Sequence, residues 1–111
     1  MELPEGVVVL HEPDWERQVL SSRKPVIVGF WAEWCVPCHM AGPALEAAAQ
    51  HYRGRVRFGV VNVDEEPALA RRYSVKGLPT LLVVKDGEES QRRVGLMGRE
   101  RIRGVIDGLL S

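Results

Sequence analysis

The chain has 111 residues, 45% of them hydrophobic and 27% charged, which suits one globular domain spanning residues 1–111 and is too short for two. Fifteen basic and fifteen acidic side chains cancel, so the charge gives no reason to expect nucleic acid or an anionic membrane as a partner. No apolar stretch approaches the roughly 20 residues of a membrane span. Met1-Glu2-Leu3-Pro4-Glu5 lacks the basic start and apolar core of a secretion signal, so a full gene product of this sequence is expected in the cytoplasm.

No internal repeat or low-complexity tract interrupts the chain. Val7-Val8-Val9-Leu10 reads as a short strand. Glu12-Pro13-Asp14-Trp15 then opens a helix to about Ser22, with Pro13 in its first turn and Trp15 and Val19 on one face. Pro25-Val26-Ile27-Val28-Gly29-Phe30 is too short and too rich in β-branched residues for a helix, and reads as a buried strand ending at Trp31. From Val36 to about Tyr52 the pattern is helical, with Met40, Leu45, Ala48 and Tyr52 taken as the inward row and Gly54 as the stop. Pro43 removes one hydrogen bond inside that helix and should kink it.

Arg55–Val63 reads as a further buried strand, and Pro67–Tyr73 as a short helix with Leu69 and Tyr73 facing inward. Thr80–Val84 is a strand, and Lys85-Asp86-Gly87-Glu88 a hairpin turn into a last strand near Ser90–Gly95. Ile102, Val105, Ile106, Leu109 and Leu110 line one side of a closing helix. Alternating strands and helices that end in a hairpin imply an α/β fold, a mixed sheet covered by helices on both faces.

The only two cysteines, Cys35 and Cys38, fall where a strand ends and a helix begins. Cys35 lies at or just before the first helical turn, whose unpaired N–H groups and dipole favour a thiolate over a thiol. Pro37 falls within that turn, where a missing N–H costs little. Cys38 follows on the same face, and helix neighbours at this spacing have Cβ atoms about 5–6 Å apart, against the roughly 3.5–4.5 Å of a disulfide. A bridge needs only local adjustment. Closing so short a loop constrains the unfolded chain very little, so the pair suits a reversible two-electron switch better than a staple. A zinc site needs about four ligands, and only His39 lies nearby in sequence.

Trp31-Ala32-Glu33-Trp34-Cys35-Val36-Pro37-Cys38 resembles the active-site motif of the thioredoxin family. The resemblance extends through Gly42-Pro43 in the following helix, Asn62-Val63-Asp64 at a strand end, Gly77-Leu78-Pro79-Thr80 before a strand, and Val94-Gly95. It implies the thioredoxin fold and a protein-disulfide oxidoreductase that helps maintain redox homeostasis. Cys35 would attack a substrate disulfide, and Cys38 would attack Cys35 in turn and release the reduced substrate. No cofactor and no metal are expected, because the dithiol stores the electrons. The implied partners are disulfide-containing proteins and a flavin-dependent thioredoxin reductase supplied by NADPH, with the protein itself a monomer.

The resemblance reaches further residues. A generic X–Pro bond is cis only about 5–6% of the time, but Leu78-Pro79 matches the family's cis-proline loop. Its geometry would turn the Leu78 backbone towards a bound peptide. Trp34, Val36, Pro37, Gly77, Leu78, Pro79 and Gly95, joined by Leu96, would bind substrate around an exposed Cys35. Trp31 is expected to pack, its indole held by Asp64. Asp64-Glu65-Glu66 reads as a solvated helix start rather than a metal-binding run.

Three departures stand out. Val36 occupies a position that is commonly Gly in the family. Gly29 and Val60 replace a buried Asp and a neighbouring Lys, and the Asp is thought to help deprotonate the resolving cysteine. Slower resolution by Cys38 is therefore expected, unless His39 or water takes the proton. These departures leave two alternatives beside a general reductant: a client-specific redox protein, and a non-catalytic module that binds partners through the same groove.

Overall fold

The computed structural model describes residues 6–111, so the expectation drawn from Met1–Glu5 lies outside the described residues. Among the described residues, five strands form one sheet in the order β1-β3-β2-β4-β5. They are β1 (Val7–Val9), β2 (Val26–Trp31), β3 (Arg57–Asn62), β4 (Thr80–Lys85) and β5 (Glu88–Val94). β3 runs parallel to both β1 and β2, while β4 runs antiparallel to β2 and to β5. The helices are α1 (Val36–His51), α2 (Pro67–Arg72) and α3 (Arg99–Leu110). The architecture is the mixed α/β sheet expected.

The period of two along β2 sends its side chains into two cores. Ile27, with Phe58 and Val60 of β3 and Val83 of β4, packs against Ala44, Ala48, Ala49 and Tyr52 of α1 and its cap, and against Ile102, Ile106 and Leu109 of α3. Val26, Val28 and Phe30 face the other way, towards Leu10, Trp15, Val19 and Leu69. Ile27, Val28 and Phe30 are wholly buried, and each contributes about 1.5–3 kcal/mol by leaving water. Trp15 donates its indole N–H to the Tyr73 hydroxyl at 2.8 Å, which ties the segment after β1 to the end of α2.

Three elements depart from expectation. The helix expected after Glu12 is a 3₁₀ turn at Glu12–Asp14 followed by a wide π-type turn at Glu16–Leu20, closed by the Ser21 N–H on the Glu16 carbonyl at 2.9 Å. Trp15 and Val19 do share the buried face, each 1% exposed. In α1, Met40 is 61% exposed rather than inward. It stands five residues before Leu45, outside the three-or-four spacing of a helix face, and the buried row begins instead at Cys38 and continues through Ala44, Ala48 and Ala49. Finally, β5 starts directly after a two-residue turn in which Asp86 and Gly87 both have positive φ (53° and 80°), the mirror-image turn that matches strand twist.

Gly59 of β3 has no room for a side chain, since a Cβ there would lie 2.4 Å from Leu10 Cδ1 and 2.7 Å from its Cγ. Leu10 is 2% exposed and held within its core. Gly59→Ala should therefore lower stability by about 1–3 kcal/mol, read as a lower urea midpoint at unchanged slope.

Glu66, just before α2, takes the Glu12 N–H at 3.0 Å and His11 Nδ1 at 3.0 Å. The hydrogen bond to Glu66 raises the His11 pKa above 6.5, and the same bond with the Glu12 N–H lowers that of Glu66 below 4.5. The Glu66 contribution is present above pH 4.5 and lost as pH falls through its lowered pKa. The His11 contribution is full below pH 6.5 and lost as pH rises through its raised pKa. The urea-midpoint difference between wild type and His11→Ala should peak between these two limits and shrink on either side. A flat difference would mean the contact contributes nothing.

Candidate active site

β2 ends at Trp31, and the chain turns through the fully buried Ala32 before α1 begins. Cys35 is the residue that caps α1, in an extended conformation (φ −89°, ψ 102°), with its N–H on the Ala32 carbonyl at 3.1 Å. Its Sγ accepts the Cys38 N–H at 3.3 Å, and Cys35 and Cys38 are joined as a disulfide with Cα atoms 5.3 Å apart. A sulfur in this position faces one of the unsatisfied donors of a helix start, where negative charge is favoured. The capping bond and the disulfide therefore use the same atom.

The expected exposure of Cys35 does not hold: it is 5% exposed, against 4% for Cys38. Cys35 forms a small apolar cluster with Ala32 and Cys38, covered by Trp31, Val63 and Leu78. Both sulfurs are therefore covered in the disulfide form.

Asp64 pairs with the other tryptophan. It accepts the indole N–H of Trp34 at 2.9 Å, while the Trp31 indole nitrogen is buried with no hydrogen-bond partner among the described residues. Asn62 explains the position of Asp64, because its side-chain oxygen accepts the N–H groups of Asp64 at 2.9 Å and Glu65 at 3.3 Å. Trp34 lies 68% exposed yet tethered. Trp31 instead meets His39 edge-on, with ring centroids 6.1 Å apart. The His39 Nε2–H donates to the Glu33 carbonyl at 2.8 Å.

The Leu78-Pro79 bond is cis, as the family resemblance implied. Pro79 accepts the Gly95 N–H at 2.8 Å, and the Thr80 hydroxyl donates to the Gly77 carbonyl at 2.6 Å. A Cβ on Gly77 would stand 2.8 Å from Val94 Cγ1, so the loop before β4 and the end of β5 fit against each other only with glycine there. Gly95 itself has φ +102°. Leu78 thus joins the cysteines in one cluster, while Pro79 and Gly95 share a cavity with Cys38. Trp34, Val36 and Leu96 are exposed as expected. Met40 and Val94 are exposed too (61% and 62%), although composition alone marks both as core residues.

That cavity, about 60 Å³, lies behind Cys38 and is lined by Gly29, Leu45, Val60, Pro79 and Gly95 among others. Cys38 is the one titratable group in its lining. A Cβ on Gly29 would meet Val60 Cγ1 at 3.6 Å and Leu45 Cδ2 at 3.8 Å. The position therefore has ordinary space but no acid or base beside the resolving sulfur. Among the described residues no group of three or more His, Cys, Asp and Glu side chains is placed to hold a metal ion. Asp64-Glu65-Glu66 is engaged with Trp34, Asn62, His11 and the Glu12 N–H. No helix among the described residues is long and apolar enough to cross a membrane.

The family model described as Thioredoxin matches residues 6–108. A thioredoxin of Acidithiobacillus ferridurans is 37% identical over 108 residues, covering 97% of this chain and 100% of that protein. A thioredoxin of Pseudomonas aeruginosa is 34% identical over 105 residues, covering 95% of the chain and 97% of the relative. Thioredoxin M5, chloroplastic, of Oryza sativa subsp. japonica is 37% identical over 105 residues, 95% of this chain, which spans only 61% of the rice protein.

The indole assignments are open to a direct check. The three tryptophans give three indole N–H resonances, and Asp64→Ala should accelerate solvent exchange of the Trp34 signal alone. A response from the Trp31 signal instead would show that the pairing is wrong.

Proposed function

The chain belongs to the thioredoxin family and its domain is a thiol–disulfide oxidoreductase, and from that premise we propose that it reduces disulfides in protein substrates. The observation that carries the reading is the Cys35 sulfur at the start of α1, accepting the Cys38 N–H within the disulfide pair. In the reduced form the Cys35 thiolate attacks one sulfur of a substrate disulfide and expels the other as a thiolate. Cys38 then loses its proton, attacks Cys35 Sγ and releases the second substrate thiolate. Two electrons pass to the substrate, and the Cys35–Cys38 disulfide remains. The dithiol itself carries the electrons, with no bound cofactor in the proposed cycle.

Trp34, Val36, Pro37, Gly77, Leu78, Pro79 and Gly95 form the proposed substrate surface around this pair. Supporting this, Leu78 packs with the cysteines and Gly77 against Val94. Exposed apolar side chains at Trp34, Val36 and Leu96 suit partly unfolded protein substrates. We further place the protein in the cytoplasm as a single-domain monomer, re-reduced by a flavin-dependent thioredoxin reductase that draws on NADPH. A chain whose two cysteines both serve the redox pair has no structural disulfide that needs an oxidising compartment.

A second reading, a reductant dedicated to particular clients, is favoured by the cavity behind Cys38. With no carboxylate in its lining and the His39 Nε2 engaged with the Glu33 carbonyl, we assign the proton of Cys38 to water or hydroxide, so that the thiolate fraction limits resolution. The resolution rate should rise about tenfold per pH unit between pH 6 and 8. A rate independent of pH between 6 and 8 would show that a base on the protein takes the proton.

Replacing each cysteine tests the proposal as a whole. Cys35→Ser should abolish disulfide reduction, and Cys38→Ser should accumulate a stable mixed disulfide through Cys35, seen as an adduct by mass spectrometry. If binding survived in the double variant while the wild type reduced nothing, the chain would be a non-catalytic module. The equilibrium potential then separates the two redox readings. A value near about −270 mV marks a general reductant, and one above about −200 mV a specialised role.

A further inference from the structure

The face of α3 turned towards β5 is unlike the rest of the helix. Arg101, Gly104, Val105 and Gly108 lie on it at helical spacing and form an open groove with Gln91 and Arg93 of β5. A Cβ at Gly104 or Gly108 would meet nothing within 4 Å, so the floor is open to an approaching backbone. β5 is an edge strand, paired only with β4 among the described residues; the Arg92 carbonyl already accepts the Arg93 guanidinium at 2.9 Å, and the other outer N–H and C=O groups are open to a further strand. Gln91 and Arg93 pair with Val83 and Leu81 of β4, which places them on the α3 side of the sheet.

The charge in this groove has one sign. Neither Arg93 nor Arg101 takes part in an ion pair among the described residues, whereas the nearby Glu89 is engaged by Arg92 on the opposite face. The groove is also continuous with the dithiol region. Arg93 is two residues from Gly95, and Arg101 precedes Ile102; Gly95 and Ile102 both line the cavity that contains Cys38. A chain extended along β5 from Gly95 reaches Arg93 in about 7 Å and Gln91 in about 13 Å.

We propose that the β5–α3 groove is a specificity surface for the client, taking an extended client segment with acidic side chains about two to five residues from its reacting cysteine. The inference rests on the oxidoreductase reading above and adds the client's chemistry. The segment adds to the β5 edge by main-chain hydrogen bonds. Alternate side chains point over Gly104 and Gly108, and their carboxylates meet Arg93 and Arg101.

The test uses two peptides, each a mixed disulfide with a small thiol, carrying Glu or Gln at those positions. The full chain is pre-reduced and freed of reductant, and second-order rates are measured at low salt. The wild type should reduce the Glu peptide about tenfold faster than the Gln peptide, the size expected of two partly exposed charge pairs. The ratio should fall below about twofold in Arg93→Gln/Arg101→Gln with the Gln-peptide rate unchanged, and should shrink for the wild type as salt is raised.

Gly104→Leu supplies an independent check. It fills the groove and should slow both peptides at least about threefold while leaving a small aromatic disulfide unaffected. A Glu-to-Gln ratio equal in wild type and the double arginine variant, or peptide rates untouched by Gly104→Leu, would overturn the proposal and leave the oxidoreductase reading standing. Failure of the wild type to reduce either peptide or the small disulfide would sink both.

Discussion

Strand β2 is fixed from four sides, and the site is placed by where that strand ends. β3 bonds one edge of it and β4 the other, while separate cores press on its two faces. A slip of one residue would exchange the faces of Ile27 and Val28, both wholly buried, and expose an entire row. The register is therefore held by several kcal/mol of burial at each end of the exchange. With β2 immovable, Ala32 and the cap of α1 have one position. Because β4 pairs with β2 in fixed register, the Leu78-Pro79 loop that precedes β4 is held on the same frame.

The two sulfurs stand in opposite electrostatic settings. The Cys35 sulfur sits at the start of α1 and accepts the Cys38 N–H, a setting that favours negative charge. Cys38 has no comparable help, for its cavity is lined by Gly29, Leu45, Val60 and other groups without charge. The site thus favours the charge at the sulfur that attacks and gives little support to the sulfur that resolves.

Much of this was legible in the sequence because it depends on local chemistry. A β-branched run stopping just before Trp34-Cys35 and Pro37 fixes the strand-to-helix junction, and Asp86-Gly87 fixes the hairpin. What was not legible depends on direction in space. Sequence spacing offers Asp64 two indoles three residues apart, and only the turn through Ala32 decides that Trp34, not Trp31, comes within 2.9 Å. Cys35 was expected at the surface because it begins a helix, yet Trp31, Val63 and Leu78 converge from three segments to cover it and Cys38. Met40 joins the helical row only if a five-residue step to Leu45 is counted as one turn; counting turns from Cys38 places it outside. The wide turn at Glu16–Leu20 has the composition of an α-helix, and no local signal separates the two.

The inner face of α1 is built from Ala44, Ala48 and Ala49. Such side chains have no rotamers to exchange, and they let a helix lie closer to a sheet than leucines would. Pro43, exposed within the same helix, leaves it unbroken from Val36 to His51. A redox change at the tip of α1 consequently meets a stiff support with few side-chain states to trade. Ala44, Ala48 and Ala49 give the sheet behind that turn no side-chain rotamers through which a change at the dithiol could spread.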